Sequence, residues 1–182
     1  MYGIVSLPDD THESLIKNLW NEIEGRFGLE NIAFRPIPHF SYQVAEAYDL
    51  DRLQTVLGNI AHNTAPFPAK TTGLGIFTGS ESVHPVLYVP VVRSPQLTAF
   101  QRLIWYETLS LGTGVADYYA PDNWIPHIAL ADDNLDHAHL PDLIRHLSQR
   151  DFTWTFTVST LAVIHDTGEG SGMDFRISLG RT

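Results

Sequence analysis

The sequence predicts an α+β fold of bilobal, pseudo-two-fold design, in which two mainly antiparallel sheets face a central cleft and carry helices on their outer faces. Three observations lead there. Stretches of helical and of strand periodicity alternate along the whole chain. The order strand, helix, histidine-bearing strand, helix, strand occurs twice. Finally, Pro38-His39-Phe40-Ser41-Tyr42-Gln43 has an echo at Pro126-His127-Ile128-Ala129-Leu130-Ala131.

Residues 4–7 read as a short strand. Asp10-Thr11-His12-Glu13 has the spacing of a capping box, and Leu15, Ile16, Leu19, Trp20, Ile23 and Phe27 then share one helical face up to Gly28, which suits a helix end. Residues 32–34 run extended into the first histidine motif, broken by Pro36 and Pro38. Asp49 or Asp51 opens a second helix through Leu50, Leu53, Val56, Leu57 and Ile60, stopping before Pro66. Residues 67–77 and 83–92 read as hairpin strands about the polar turn Gly79-Ser80-Glu81-Ser82, with Pro85 and Pro90 at strand ends or an edge.

Ser94-Pro95 starts a third helix, carrying Leu97, Phe100, Leu103, Ile104 and Leu111 and ending at Gly112-Thr113-Gly114. Residues 118–124 form an aromatic loop that leads into the second motif. A fourth helix fits residues 140–147 with Pro141 in its first turn; residues 153–164 and 175–179 read as long strands around a turn at 167–172. No linker or low-complexity segment divides the chain. Residues 1–182 are expected to form one domain, with a motif in each lobe at 38–43 and 126–131.

A chain of 182 residues can bury roughly 70% of its extended surface. No apolar run approaches the ~18 residues of a membrane helix, so a soluble protein without a membrane partner is expected. The N-terminus lacks a basic start and meets Asp9 and Asp10 early, unlike a secretory signal, which predicts a cytoplasmic location. The absence of cysteine excludes disulfides and thiolate metal sites. A net charge of −10, with only 11 Lys and Arg spread along the chain, disfavours long nucleic acid and leaves a small nucleotide or an RNA end as partner. A monomer is expected.

Alternation along an extended segment puts His39 and Ser41 on one face and Phe40 and Tyr42 on the other. In the second motif His127 and Ala129 share the cleft face while Ile128 and Leu130 pack inward. One half thus offers an imidazole with a hydroxyl, and the other an imidazole alone.

These paired motifs resemble those of the two-histidine (2H) phosphoesterase superfamily, whose members carry two copies of His-x-Thr/Ser set in apolar residues; the 2′-5′ RNA ligase-like and cyclic phosphodiesterase branch is the most similar. The resemblance implies opening of a 2′,3′-cyclic phosphate or related phosphodiester at a nucleotide or RNA end, with His39 and His127 as catalytic acid and base in either order. Two imidazoles near pKa ~6.5 can divide both proton transfers, so the implied chemistry needs no metal and no cofactor. It also implies that Ser41 donates to a nonbridging phosphate oxygen.

Ala129 departs from that pattern, and losing one such donor costs on the order of 3 kcal/mol of transition-state stabilisation. A backbone N–H, Arg35, Tyr118 and Tyr119 are candidate substitutes within the substrate site, and Trp124 is a further candidate contact for a base, although packing is the commoner role of such a residue. The alternative reading is a nucleotide- or RNA-end-binding module that keeps the cleft without turnover. A metal hydrolase built on Asp132-Asp133-Asn134-Leu135-Asp136-His137-Ala138-His139 is the weaker option, because acids and Asn there suit the start of the fourth helix. His165-Asp166 with the glycines at 168, 170 and 172 reads as a hairpin loop, since neither a helix nor a lysine follows.

Overall fold

The computed structural model describes residues 1–29, 37–78, 84–132, 135–168 and 170–180. The elements run β1 (Tyr2–Ser6), α1 (Asp10–Phe27), β2 (Phe40–Ala45), β3 (Ala47–Tyr48), α2 (Leu50–His62), β4 (Phe67–Lys70), β5 (Gly75–Phe77), β6 (Val86–Pro90), α3 (Pro95–Thr108), β7 (Gly112–Thr113), β8 (His127–Ala131), α4 (Leu140–Leu147), β9 (Thr155–Val158), β10 (Thr160–Asp166) and β11 (Ser171–Ser178). Short 3₁₀ turns cover Leu109–Leu111 and Asp117–Tyr119. The expected extension at 32–34, the turn at 79–82 and Arg35 lie outside the described residues.

Two antiparallel sheets carry the motifs. One has the order β11-β10-β1-β2, the other β5-β6-β8. The β4–β9 ribbon continues the second sheet through a Thr71–Val91 bridge and the Val92 N–H to Lys70 carbonyl bond of 2.7 Å. Each motif strand, β2 and β8, is therefore an outer strand of its own sheet.

Local chemistry sets the element ends. Asp9, rather than Asp10, caps α1 by accepting from the His12 N–H at 3.0 Å, and Gly28 closes the helix at φ 69°, the left-handed region where glycine meets no Cβ penalty. Asp49 caps α2 and Ser94 caps α3, whose first turn holds Pro95. The predicted strand at 153–164 divides at Ser159, because β9 pairs with β4 while β10 pairs with β1 and β11. The predicted strand at 67–77 divides likewise, as β4 and β5 take different partners. The last strand is longer than 175–179, because pairing with β10 extends back to Ser171.

The main core gathers Ile16 and Trp20 of α1, Leu53 and Leu57 of α2, Leu97, Phe100 and Ile104 of α3, and Phe40 and Tyr42 of β2. A second cluster joins Leu19 and Ile23 to Val89, Leu130, Leu143 and Leu147. α1 thus packs across to the sheet of the second motif. No helix among the described residues is long and apolar enough to cross a membrane.

Candidate active site

Both motifs present their imidazoles by the same local device. His39 Nδ1 lies 2.6 Å from the Ile37 carbonyl, and His127 Nδ1 lies 2.7 Å from the Ile125 carbonyl. A carbonyl only accepts, so Nδ1 carries the proton in each ring, and Nε2 holds the exchangeable lone pair of the neutral form. The intervening Pro38 and Pro126 fix their own φ and restrict the preceding isoleucine to extended conformations, which presets this return bond.

The repeat extends into the strands. Val5 pairs with Ser41 and Ile4 with Gln43, so Tyr42 is an extra residue in β2. Tyr88 pairs with Ala129 and Leu87 with Ala131, so Leu130 is extra in β8. Each β-bulge lies three positions after its histidine and re-aims the residues beyond it. As a result the cleft receives His39, Ser41 and Val44 from one strand and His127, Ala129 and Asp132 from the other. Alternation alone misses Val44 and Asp132, since no glycine marks either bulge in the sequence.

These residues line one cavity of about 450 Å³ together with Trp20, Phe77, Val86, Tyr118, Tyr119, Asn123 and Ile125. Burial holds His39 down to about 4, with the His127 charge acting in the same direction and the Ile37 carbonyl opposing. Burial also lowers the pKa of His127. Both rings therefore favour the neutral form, and each discourages protonation of its neighbour.

The walls differ. On the first-motif side the Tyr119 hydroxyl hydrogen-bonds Ser41, and burial raises the phenol's pKa, keeping it protonated. Gln101 of α3 donates its Nε2 to the Tyr119 carbonyl at 2.9 Å and the Tyr42 carbonyl at 3.4 Å, tying the tyrosine turn to the motif strand. Tyr118 is 65% exposed at the rim, its ring 4.8 Å from that of Tyr119. On the second-motif side Phe77 meets the His127 ring edge-to-face at 4.9 Å, and Tyr88 approaches it at 5.1 Å.

Trp124 does not reach the cavity, which corrects its assignment as a base contact. It is fully buried, lies stacked on Tyr42, and donates Nε1 to the Ser41 carbonyl at 2.8 Å. Trp20 Nε1 donates in the same way to the Ala129 carbonyl at 3.0 Å. Sequence reasoning misses Trp20 because its place on the apolar stripe of α1 reads simply as core.

In the acidic cluster before α4, Asp136 accepts from both the N–H and the Nδ1 of His139, a local turn bond at the start of the helix. Among the described residues no three of His, Asp, Glu or Cys converge on a metal-sized site. His165 and Asp166 end β10 and Ser171 and Gly172 begin β11, so the two strands form a hairpin as expected, with Asp166 accepting from the Gly168 N–H at 2.7 Å.

Two histidine motifs related by a repeated local geometry are matched by family-level likeness: the sequence model of the 2′-5′ RNA ligase superfamily covers residues 8–170. The chain belongs to the 2′-5′ RNA ligase superfamily. Among solved structures, TT0787 of Thermus thermophilus aligns over 98% of this chain and 97% of its own with a TM-score of 0.65 at 14% identity. E. coli LigT complexed with 3′-AMP aligns over 98% and 97% with a TM-score of 0.62 at 15% identity. E. coli LigT complexed with NADP+ aligns over 99% and 97% at 0.58 and 13%. No curated protein matches the sequence. These neighbours share the bilobal α+β fold of this chain.

Proposed function

We propose that this protein opens a 2′,3′-cyclic phosphate, or a related phosphodiester, at a nucleotide or RNA end, with His39 and His127 dividing the proton transfers. The observation that carries the reading is the shared cavity in which both imidazoles have Nδ1 committed to a backbone carbonyl. One ring, neutral at Nε2, takes a proton from water as its oxygen bonds to phosphorus. The other, protonated at Nε2, gives its proton to the ribose oxygen as the phosphorus–oxygen bond breaks. The two rings end with exchanged protonation states, and solvent resets them. Both proton transfers are accounted for without a metal ion.

Ser41 and Tyr119 are hydrogen-bonded to each other, and the remaining hydroxyl hydrogen of the pair can donate to a nonbridging oxygen as charge grows at phosphorus. Tyr118 offers an exposed ring at the rim on which a base can stack. The fold accommodates nucleotides elsewhere in the superfamily, since the LigT structures hold 3′-AMP and NADP+. The test is turnover of 2′,3′-cyclic mononucleotides and of an RNA bearing a terminal cyclic phosphate, in the presence of chelator. His39→Ala and His127→Ala are each expected to lose about a hundredfold or more. Turnover unchanged in both variants would sink the mechanism.

A second reading, a binding module for nucleotides or RNA ends, is favoured by one observation: position 129 brings no hydroxyl to the cleft. Tight nucleotide binding without any turnover would select it.

A further inference from the structure

The two motif strands are geometric copies but not chemical ones. After each histidine, strand alternation brings one more side chain to the cleft and the bulge brings a second, and these are Ser41 and Val44 on one strand, Ala129 and Asp132 on the other. The first strand therefore offers a hydroxyl donor and the second a carboxylate. A carboxylate accepts hydrogen bonds and donates none. The hydroxyl donors that suit a phosphate oxygen are those of Ser41 and Tyr119, and the part of the ligand that bonds Asp132 must bring a hydrogen.

The rest of that wall supports the division. Trp20 has its indole N–H engaged by the Ala129 carbonyl, while Phe77 and Val86 are apolar. Asp132 is the acidic group among the described residues that line the cavity. Its two oxygens have about four lone-pair sites, so a bond to a neighbour within the protein leaves acceptor capacity for a ligand.

We infer that Asp132 is a specificity-determining residue of this cleft, accepting a hydrogen bond from a neutral N–H or O–H donor of the bound nucleotide. This rests on the proposed nucleotide-end function. The neutral donors of a nucleotide are an amine or ring N–H of the base, the 5′-hydroxyl and, in an opened product, the 2′-hydroxyl or 3′-hydroxyl.

The test is binding rather than turnover, read by titration calorimetry with nucleoside 3′-monophosphates. 3′-UMP replaces the exocyclic amine of 3′-CMP by a carbonyl, 5′-deoxy-3′-CMP removes the 5′-hydroxyl, and 2′-deoxy-3′-CMP removes the 2′-hydroxyl. Asp132→Ala is expected to weaken 3′-CMP about tenfold and to leave the probe lacking the relevant donor within twofold. Asp132→Asn, which keeps an acceptor oxygen, should fall between. Weakening confined to the probes that keep the donor is a pattern that no misfolded variant gives.

Equal weakening of every probe, or no change in any, would overturn the inference while leaving the function standing. Failure of the wild type to bind any of these nucleotides would overturn the function and the inference together.

Discussion

The Trp124 indole donates to the Ser41 carbonyl at 2.8 Å, so a residue from the second half of the chain holds the motif strand of the first. Trp20 of α1 returns the relationship by donating to the Ala129 carbonyl at 3.0 Å. Both acceptors lie two positions after a motif histidine, on outer strands whose carbonyls lack a neighbouring strand to bond. His39 and His127 stand on different sheets, and these crossed bonds fix one sheet against the other where the imidazoles must cooperate. Trp20→Phe and Trp124→Phe keep a ring in place and remove the N–H. Each should cost about 1 kcal/mol of stability, and kcat should fall about tenfold with KM within about twofold. Parallel losses in kcat and in folded fraction, with no change once corrected for folding, would reduce both residues to packing.

The donors around the phosphate are predicted to be lopsided. Ser41 and Tyr119 are joined by a hydrogen bond on one wall, and Ala129 faces the same cavity from the other. Ser41→Ala should lower kcat/KM by about a hundredfold and Tyr119→Phe by about tenfold. Ala129→Thr should raise it by up to about tenfold, with a larger relative gain in the Tyr119→Phe background, because the two hydroxyls would serve the same charge. A null effect of Ala129→Thr in both backgrounds would show that position 129 needs no donor.

Much of this site is legible in the sequence. Pro-His at 38–39 and 126–127, the repeated element order and the missing hydroxyl at 129 are all local patterns, so the histidine pair and its asymmetry follow from them. What sequence does not carry is what depends on partners distant in the chain. The bulges at Tyr42 and Leu130 arise from register against β1 and β6, so counting alternate residues cannot place Asp132 in the cleft. By residue type alone Trp20 reads as core and Trp124 as either packing or a base contact, whereas the carbonyls that engage both lie more than eighty residues away. The split between β9 and β10 has the same origin, two different strand partners for one continuous apolar run.

Gly75 is predicted to be irreplaceable for a reason visible across the sheet. A Cβ at this position would lie 2.4 Å from Cε2 and Cζ of Tyr88, its register partner. The Tyr88 ring has little room to yield, being stacked on Phe77 at 4.2 Å and set against His127 at 5.1 Å. Gly75→Ala should destabilise the fold by about 1–3 kcal/mol in denaturant titrations and lower kcat through displacement of His127. Adding Tyr88→Leu should recover stability but not kcat. Wild-type stability in Gly75→Ala alone would mean that the ring moves at no cost.

Burial of the two imidazoles sets the expected pH response. His39 is held down to about 4 and His127 is also lowered, so in the free protein a singly protonated pair becomes common only on the acid side of the ordinary histidine value of ~6.5. The kcat/KM profile, which reports the free enzyme, should be bell-shaped with its maximum below that value. A bound phosphate anion favours the imidazolium, so the kcat profile should lie at higher pH than the kcat/KM profile. Stability moves through the same groups. Between about 4 and 6.5 the unfolded chain holds a proton at position 39 that the folded chain lacks, so the fold is favoured above this window and loses stability as pH falls through it. The slope for one such proton approaches about 1.4 kcal/mol per pH unit. Replacing His39 by Gln should flatten it in denaturant titrations at pH 7, 6 and 5. A slope unchanged in His39→Gln would place the acid sensitivity elsewhere and remove the premise that a buried, neutral His39 is poised to accept a proton.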